Sequence, residues 1–315
     1  MRIFFCSDLH ASRKCWRKFL KSADFYGADV IIVGGDITGK FVVPLIEGPG
    51  GTRTATFLGV ERAVSAPDEE ARLRTWIADA GQYPVDMTPE EYAWYEGDQT
   101  RIDELFRRLV LDRVREWVAE ADDKLAGSGV RVFVSGANDD FLEVDDVLAS
   151  SEVIEDPNGR VIDLDDDFQI LGMGWGNPTP WACPRDIPEE DLAARIDAVA
   201  ATARDPGRTI FSLHVPPLGS GLDLAPRLDD YLRPRLNASG LDMISVGSTA
   251  TRDAIERYQP LVGLHGHIHE SKGIKKLAGV TIANPGSEYG EGVLDGLIVD
   301  LDRRRGLEGV RLLTG

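Results

Sequence analysis

Three of the five histidines in this 315-residue chain stand at alternate positions, His265, His267 and His269. Side chains at alternate positions of an extended backbone point to the same side, so His267 and His269 can face a common object. Gly266 lets the backbone pass close to that object because it has no Cβ. Neutral imidazole is the commonest metal ligand in proteins, so the pattern indicates a metal site. The alternative is a polar strand end whose histidines meet only water.

Other oxygen and nitrogen ligands follow predicted strands elsewhere in the chain. Residues 2–7 are apolar and predict a buried parallel strand, and residues 30–33 predict a second one. Ligands of open α/β sheets bind at the carboxyl ends of such strands. The polar residues at predicted strand ends are Asp8, His10, Asp36, Asn138, His214, His267 and His269.

This ligand set offers oxygen and nitrogen atoms and no thiolate. Such a mixture suits Mn²⁺, Fe²⁺, Fe³⁺ or Zn²⁺; it is poor for calcium and unlike a structural zinc site. Seven ligands are too many for one such ion and match two ions that share a carboxylate. Two metals about 3.5–4 Å apart form a clamp for in-line displacement at phosphorus.

Composition narrows the class of partner. The chain is 43% hydrophobic and 28% charged, which is typical of a soluble globular protein. Its net charge of −18 argues against long nucleic acids, but bound dications can reverse the local field for a small phosphorylated substrate. No apolar run has the length of a membrane span, and the N-terminus is unlike a signal peptide. Three widely spaced cysteines favour a reducing, cytoplasmic location, and the oligomeric state is left open.

The remaining pattern predicts one domain over residues 1–315 in which strands and helices alternate. Residues 100–125 predict a long helix with one buried face, and residues 224–238 predict a further helix. Residues 41–100 break the alternation and are interpreted as an insertion, a candidate cap over one end of the core sheet. Aromatic residues of this segment, such as Tyr83 and Trp94, either line a substrate cleft or pack the insertion onto the body. Packing is the favoured alternative.

In order, these motifs resemble those of the calcineurin-like metallophosphoesterases, in particular the bacterial and archaeal phosphodiesterase-like branch. The family motifs DxH, GD, GNH[DE], an isolated His and GHxH correspond to Asp8-Leu9-His10, Gly35-Asp36, Ala137-Asn138-Asp139-Asp140, His214 and Gly266-His267-Ile268-His269. Asn284-Pro285-Gly286-Ser287 is similar to an NPGS turn of that branch. Each motif alone is weak, whereas the ordered set after successive strands is specific.

The resemblance implies a four-layer α/β/β/α sandwich with two mixed β-sheets, interrupted here by the inserted segment. It also implies two transition-metal ions, with manganese favoured over iron and zinc, and a bridging hydroxide that attacks phosphorus. One implied ligand set is Asp8, His10, Asp36 and His269. The other is Asp36, Asn138, His214 and His267, so Asp36 bridges the two ions.

The third motif departs from the family pattern at Asp139, where the family has a histidine that contacts the phosphate and protonates the leaving group. Two nearby dications would keep a carboxylate ionised, so Asp139 is a poor acid. It is expected to act as a hydrogen-bond acceptor or as a turn residue. His265 is the remaining histidine, either a replacement acid or a residue of the core. Asn138, Asp139 and His265 are thus the candidate catalytic residues.

The leading hypothesis is a dinuclear phosphoester hydrolase that acts on a phosphodiester. A missing acid slows hydrolysis most where the leaving group is poor, as in alkyl monoesters. One alternative is a phosphomonoesterase or phosphoprotein phosphatase. Another is a binding or scaffold protein that keeps the fold without catalysis, although all seven ligand positions are filled.

Overall fold

Two six-stranded sheets face each other in the computed structural model, which describes residues 1–238 and 240–315. The strands are β1 (Arg2–Cys6), β2 (Val30–Val33), β3 (Val42–Glu47), β4 (Arg53–Phe57), β5 (Val60–Val64), β6 (Tyr83–Met87), β7 (Arg131–Val134), β8 (Ile154–Glu155), β9 (Val161–Asp163), β10 (Gln169–Met173), β11 (Thr209–Leu213), β12 (Leu224–Pro226), β13 (Leu236–Asn237), β14 (Gly240–Leu241), β15 (Met243–Ser245), β16 (Val262–Leu264), β17 (Gly273–Leu277), β18 (Val280–Asn284), β19 (Asp295–Asp302) and β20 (Gly306–Thr314). The helices are α1 (Arg13–Tyr26), α2 (Pro67–Asp79), α3 (Pro89–Glu96), α4 (Gln99–Leu125), α5 (Glu143–Leu148), α6 (Glu189–Ala200) and α7 (Thr249–Tyr258).

Both large sheets mix parallel and antiparallel strands. The first has the order β20-β19-β1-β2-β7-β8, in which β1, β2, β7 and β8 are parallel and β19 pairs antiparallel with both β1 and β20. The second has the order β17-β18-β16-β11-β10-β9, with a parallel centre and antiparallel β17 and β9 at its edges. Parallel central strands bring their carboxyl ends to one edge of each sheet.

Burial divides the molecule into four layers. Phe5 and Phe133 of the first sheet pack against Ile170 and Leu264 of the second to form the central core. Helices α1, α4 and α5 cover the outer face of the first sheet, and α6 and α7 cover that of the second. Alternate residues of each central strand face the other sheet or the helices, which explains why these strands are apolar throughout. The predicted α/β/β/α sandwich with two mixed sheets is confirmed.

Residues 42–96 form a four-stranded sheet with the order β5-β4-β3-β6, flanked by α2 and α3. Leu45, Phe57 and Ile77 give this segment a small core of its own. Tyr83 is buried in the core of the main body, and its hydroxyl accepts a hydrogen bond from the Gly39 N–H at 2.8 Å. Tyr83 thus packs the segment onto the body, which is the favoured alternative for this aromatic residue.

The predicted helix over residues 224–238 is wrong. The structure has short strands there, β12 and β13. Pro226 and Pro234 interrupt any helical hydrogen-bond ladder in this stretch. The Asp229 carboxylate accepts a hydrogen bond from the Arg233 N–H at 3.0 Å, so a local turn takes the place of a helical turn.

The long helix predicted over residues 100–125 is confirmed as α4. Its side chains are charged on the exposed face, as expected for a helix that covers a sheet. None of the helices in the described part of the chain combines the length and the hydropathy that crossing a bilayer requires.

Candidate metal centre

The seven predicted ligands meet at one end of the sandwich. They follow β1, β2 and β7 in the first sheet and β11 and β16 in the second, directly beyond the carboxyl ends of these strands. Six of them supply two groups whose ligand atoms lie within 4.8 Å of one another: Asp8, His10 and His269 in one, and Asp36, His214 and His267 in the other. The Asp139 carboxylate forms a third such group with His10 and Asp36. Asn138 joins the second group, with its Oδ1 atom 3.0 Å from His267 Nδ1.

Asp36 connects the two groups. Its Oδ2 atom lies 3.3 Å from His214 Nε2 in one group and 3.9 Å from His10 Nε2 in the other. Its Oδ1 atom accepts a hydrogen bond from the Asp139 N–H at 3.1 Å. This carboxylate therefore stands where a ligand shared by two ions would be required.

Backbone carbonyls orient two of the imidazoles. His10 Nδ1 lies 3.1 Å from the Thr38 carbonyl oxygen, and His214 Nδ1 lies 3.1 Å from that of Gly34. A carbonyl oxygen can only accept, so each Nδ1 carries a proton and each Nε2 is the nitrogen that faces the cluster. This arrangement is usual for metal-binding histidines.

Two features of the imidazole nitrogens test whether a cation fits this site. His214 Nε2 is buried and makes no well-aligned hydrogen bond among the described residues, although Asp36 Oδ2 lies 3.3 Å away. His10 Nε2 and His269 Nε2 face each other at 3.1 Å, an arrangement that a shared cation or a shared proton would satisfy. A buried nitrogen without a well-aligned hydrogen bond is costly, so this donor set fits a bound cation.

The backbone is strained at four of the ligand positions. Asp8, His10, Asp36 and His267 have φ values of 58°, 40°, 50° and 66°, a left-handed region that side chains other than glycine seldom adopt. Such strain costs on the order of 1–3 kcal/mol per residue and persists where surrounding contacts impose it. Here the His267 N–H donates to both carboxylate oxygens of Asp8, at 3.0 and 3.1 Å. Strain concentrated on these residues is typical of a functional site.

Two glycines allow the loops to approach. A Cβ atom on Gly35 would lie 2.3 Å from Ala137 Cβ, and one on Gly266 would lie 2.2 Å from Ser7 Oγ and 2.4 Å from Asp8 Oδ2. Neither position has room for a side chain. Gly266 therefore lets its backbone pass close to Ser7 and Asp8, as predicted from the sequence.

Opposite charges offset the burial of these groups. Burial opposes ionisation of Asp8, but His269 and His214 lower the pKa of Asp8 to about 2. Burial also opposes a charge on His214, but Asp36 and Asp8 raise the pKa of His214 to about 9. Burial lowers the pKa of His10 to about 4. A cation bound between these groups would therefore displace a proton from His214 at neutral pH.

Asp139 lies at the site in an ion pair. Its Oδ2 atom is 2.6 Å from Lys40 Nζ, and its Oδ1 atom accepts a hydrogen bond from Cys183 Sγ at 2.8 Å. Burial and this bond to Asp139 raise the pKa of Cys183 to about 12, which keeps the thiol protonated as a donor. Sequence reasoning singled out neither Lys40 nor Cys183, although Lys40 follows Asp36 by four residues.

His265 lies apart from the clustered ligands. Its Nδ1 atom donates to the Leu213 carbonyl at 2.7 Å, and its Nε2 atom is adjacent to Gly263, where a Cβ atom would approach it to 2.9 Å. Burial lowers the pKa of this histidine to about 4. The ring is fully buried and bonded to the backbone, as the alternative of a core residue predicts.

Asp140 ties the second and third motifs together. Its carboxylate accepts hydrogen bonds from the backbone N–H groups of Ile37, Thr38 and Ala137 at 3.1, 2.9 and 2.7 Å. The Thr38 hydroxyl adds a further bond at 2.6 Å. The buried Arg185 guanidinium donates to the Asp140 carbonyl at 3.0 Å and so fixes the same loop.

The variant Asp140→Asn is expected to lower the free energy of unfolding by about 2–3 kcal/mol, because its amide would face N–H donors that it cannot satisfy. Denaturant titration measures this change. Asp146→Asn removes an exposed carboxylate of α5 and serves as the control. Equal stability of the two variants would contradict the role given to Asp140.

The chain is similar to known proteins both in sequence and in fold. The chain is 27% identical over 172 residues to the uncharacterized protein MJ1162 of Methanocaldococcus jannaschii, a match that covers 50% of this chain and 71% of that protein. The crystal structure of TT1561 of Thermus thermophilus matches with a TM-score of 0.54 and 14% identity, covering 100% of this chain and 97% of that one. An archaeal phosphodiesterase matches with a TM-score of 0.38 and 13% identity over both full chains, which is too distant to carry an argument. No family model matches the sequence.

The fold and the clustered ligands define a class of protein: a four-layer α/β sandwich with a candidate two-metal centre at the carboxyl ends of its strands. The fold is similar to that of TT1561, and the order of the polar residues along the sequence resembles that of the calcineurin-like metallophosphoesterase motifs.

Proposed function

We propose that this protein is a metal-dependent phosphoester hydrolase with two metal ions, and that its substrate is a small phosphodiester. The observation that carries the proposal is the pair of ligand groups joined by Asp36. Two ions that share one carboxylate would suit displacement at phosphorus better than a single ion. The net charge of −18 favours a small substrate over a long nucleic acid, and cysteine usage favours a cytoplasmic location.

In this proposal the residues hold the ions as the family resemblance implies. Asp8, His10 and His269 would hold one ion, Asn138, His214 and His267 would hold the other, and Asp36 would contribute to both. When bound, the ions supply an activated hydroxide as nucleophile and neutralise charge on the phosphoryl oxygens, with manganese favoured. The side chains set the position of both ions, and the carbonyls of Thr38 and Gly34 keep the imidazoles of His10 and His214 in the required tautomer.

The surroundings of Asp139 support a diester over a monoester. Its two oxygens already contact the Lys40 ammonium and the Cys183 thiol, so both are occupied as hydrogen-bond acceptors and neither is placed to donate. A leaving group must then depart without an acid at this position. The lack of an acid lowers the hydrolysis rate most for substrates with poor leaving groups, such as alkyl monoesters.

The experiment is to compare kcat/KM for bis(4-nitrophenyl) phosphate and 4-nitrophenyl phosphate with added Mn²⁺. The proposal predicts turnover with a clear preference for the diester. A preference for the monoester would contradict the diesterase proposal and favour the phosphomonoesterase alternative. Two bound metals without turnover of either substrate would favour the scaffold alternative.

The variant Asp139→His is expected to raise hydrolysis of an alkyl phosphomonoester by about tenfold, which is less than the 10²–10⁴-fold that a well-placed general acid contributes. The reason is that imidazole can protonate the leaving group where the carboxylate cannot. Asp139→Asn removes the negative charge without adding an acid and is the matched control. Equal rates for the two variants would show that the missing acid does not limit the monoester reaction.

A further inference from the structure

Three side chains of the site are partly exposed. Lys40 is 42% exposed, His269 is 27% exposed and Asp139 is 18% exposed, whereas Asp8 and Asp36 are at most 3% exposed. The Asp139 carboxylate lies within 4.8 Å of ligand atoms of His10 and Asp36, so the Lys40–Asp139 pair borders the ligand groups. We call Lys40, Asp139 and His269 the rim of the site.

Lys40 brings a stable positive charge to that rim. Although burial disfavours its charge, the carboxylates of Asp139 and then Asp36 raise the pKa of Lys40. Its Nζ atom lies 2.6 Å from Asp139 Oδ2. An ammonium has three N–H donors and this contact occupies one of them, so donors are left for an incoming anion.

The backbone of Lys40 is fixed by the segment that begins there. The Gly39 N–H donates to the Tyr83 hydroxyl at 2.8 Å, and the Tyr83 N–H donates to the Phe41 carbonyl at 2.9 Å. A Cβ atom on Gly39 would lie 2.2 Å from the Gly81 carbonyl oxygen, so the chain is closely packed at this point. The segment of residues 41–100 thus fixes the backbone on both sides of Lys40 and holds this lysine at the rim, in addition to packing on the body.

We propose that Lys40 binds a phosphoryl oxygen of the substrate and is a specificity-determining residue of the site. It does so beside Asp139, which stands where the family has a histidine. The inference rests on the proposed phosphoesterase function. Without the Lys40 charge, the Asp139 carboxylate would repel the substrate. The repulsion would be larger for a monoester, which carries close to two negative charges at neutral pH, than for a singly charged diester.

The first test is kinetic. Lys40→Met is expected to raise KM for bis(4-nitrophenyl) phosphate by about tenfold, since a hydrogen bond to a charged group is lost, and to lower kcat/KM for 4-nitrophenyl phosphate further still. Lys40→Arg keeps the charge and should retain most of the affinity. Lys276→Met removes an exposed lysine of β17 and is the matched control for the change in net charge. An unchanged KM in Lys40→Met would overturn the proposal.

A double-mutant cycle separates direct binding from neutralisation of Asp139. Direct binding predicts that Lys40→Met still raises KM by at least about fivefold when introduced into Asp139→Asn. If Lys40→Met has no effect in that background, Lys40 acts only through Asp139 and the proposal is wrong.

Binding of inorganic phosphate provides a readout that does not depend on turnover. Titration calorimetry of the metal-loaded protein should show about tenfold weaker phosphate binding in Lys40→Met than in wild type, with equal metal content. If wild type hydrolyses no phosphoester, the proposed function fails, and the phosphate titration still decides the role of Lys40. Equal phosphate affinity in the two proteins would refute that role whatever the activity.

Discussion

Replacement of Asp36 with alanine is expected to remove most of the bound metal and to lower the hydrolysis rate by more than about a hundredfold. Loss of a residue that only supports a metal ligand costs about 10–100-fold, and loss of a shared ligand should cost more. Asp36 is the carboxylate nearest to both His10 and His214, so its loss affects both ions at once. Elemental analysis and steady-state kinetics on the same sample measure the two effects together.

Two controls accompany this prediction. Asp36 has a φ of 50°, a conformation that asparagine tolerates better than alanine, so Asp36→Asn tests the loss of charge with less backbone strain. Asp166→Ala removes an exposed carboxylate from the turn before β10 and should leave both metal content and rate unchanged. Retention of both metals and full activity in Asp36→Ala would show that the ligand assignment is wrong.

Gly266→Ala is the second change with a large expected effect. The new Cβ atom would stand 2.2 Å from Ser7 Oγ and 2.4 Å from Asp8 Oδ2, distances that real Cβ atoms do not show. The backbone between the two sheets must therefore shift, and the His267 N–H would lose its bonds to Asp8. We expect a loss of about 1–3 kcal/mol in the free energy of unfolding and a strong decrease in metal content.

Gly309→Ala is the matched control, because nothing lies within 4 Å of the Cβ atom that it would add in β20. Thermal unfolding and elemental analysis of the two variants measure the difference. If Gly266→Ala unfolds at the temperature of wild type and binds as much metal, the close approach of the two loops has no energetic importance.

The sequence predicted the elements that bear the site because each ligand follows a short apolar run. Asp8 and Asp36 come after runs that are apolar at every position, a pattern typical of parallel strands buried on both faces. Parallel strands in one sheet bring such residues to one edge, so the grouping of ligands could be anticipated without coordinates. The helix α4 was predictable for a similar reason, since its apolar residues recur at helical spacing over residues 100–125.

Contacts between distant parts of the chain could not be predicted in this way. The Lys40–Asp139 ion pair and the Cys183–Asp139 hydrogen bond join residues far apart in sequence, and no periodicity records them. His265 shares the alternation of His267, yet its ring turns to the Leu213 carbonyl because the chain leaves β16 at residue 264. Over residues 224–238, prolines and an aspartate turn outweighed the apolar spacing that suggested a helix.

The most direct test of the two-metal account is the metal content of the purified protein, measured by elemental analysis after incubation with Mn²⁺ and removal of unbound ions. The account predicts about two ions per chain, as expected for two ligand groups that share one carboxylate. If the protein binds no metal under any condition, whether with Mn²⁺, Fe²⁺ or Zn²⁺, the assignment of all the metal ligands from Asp8 to His269 is wrong.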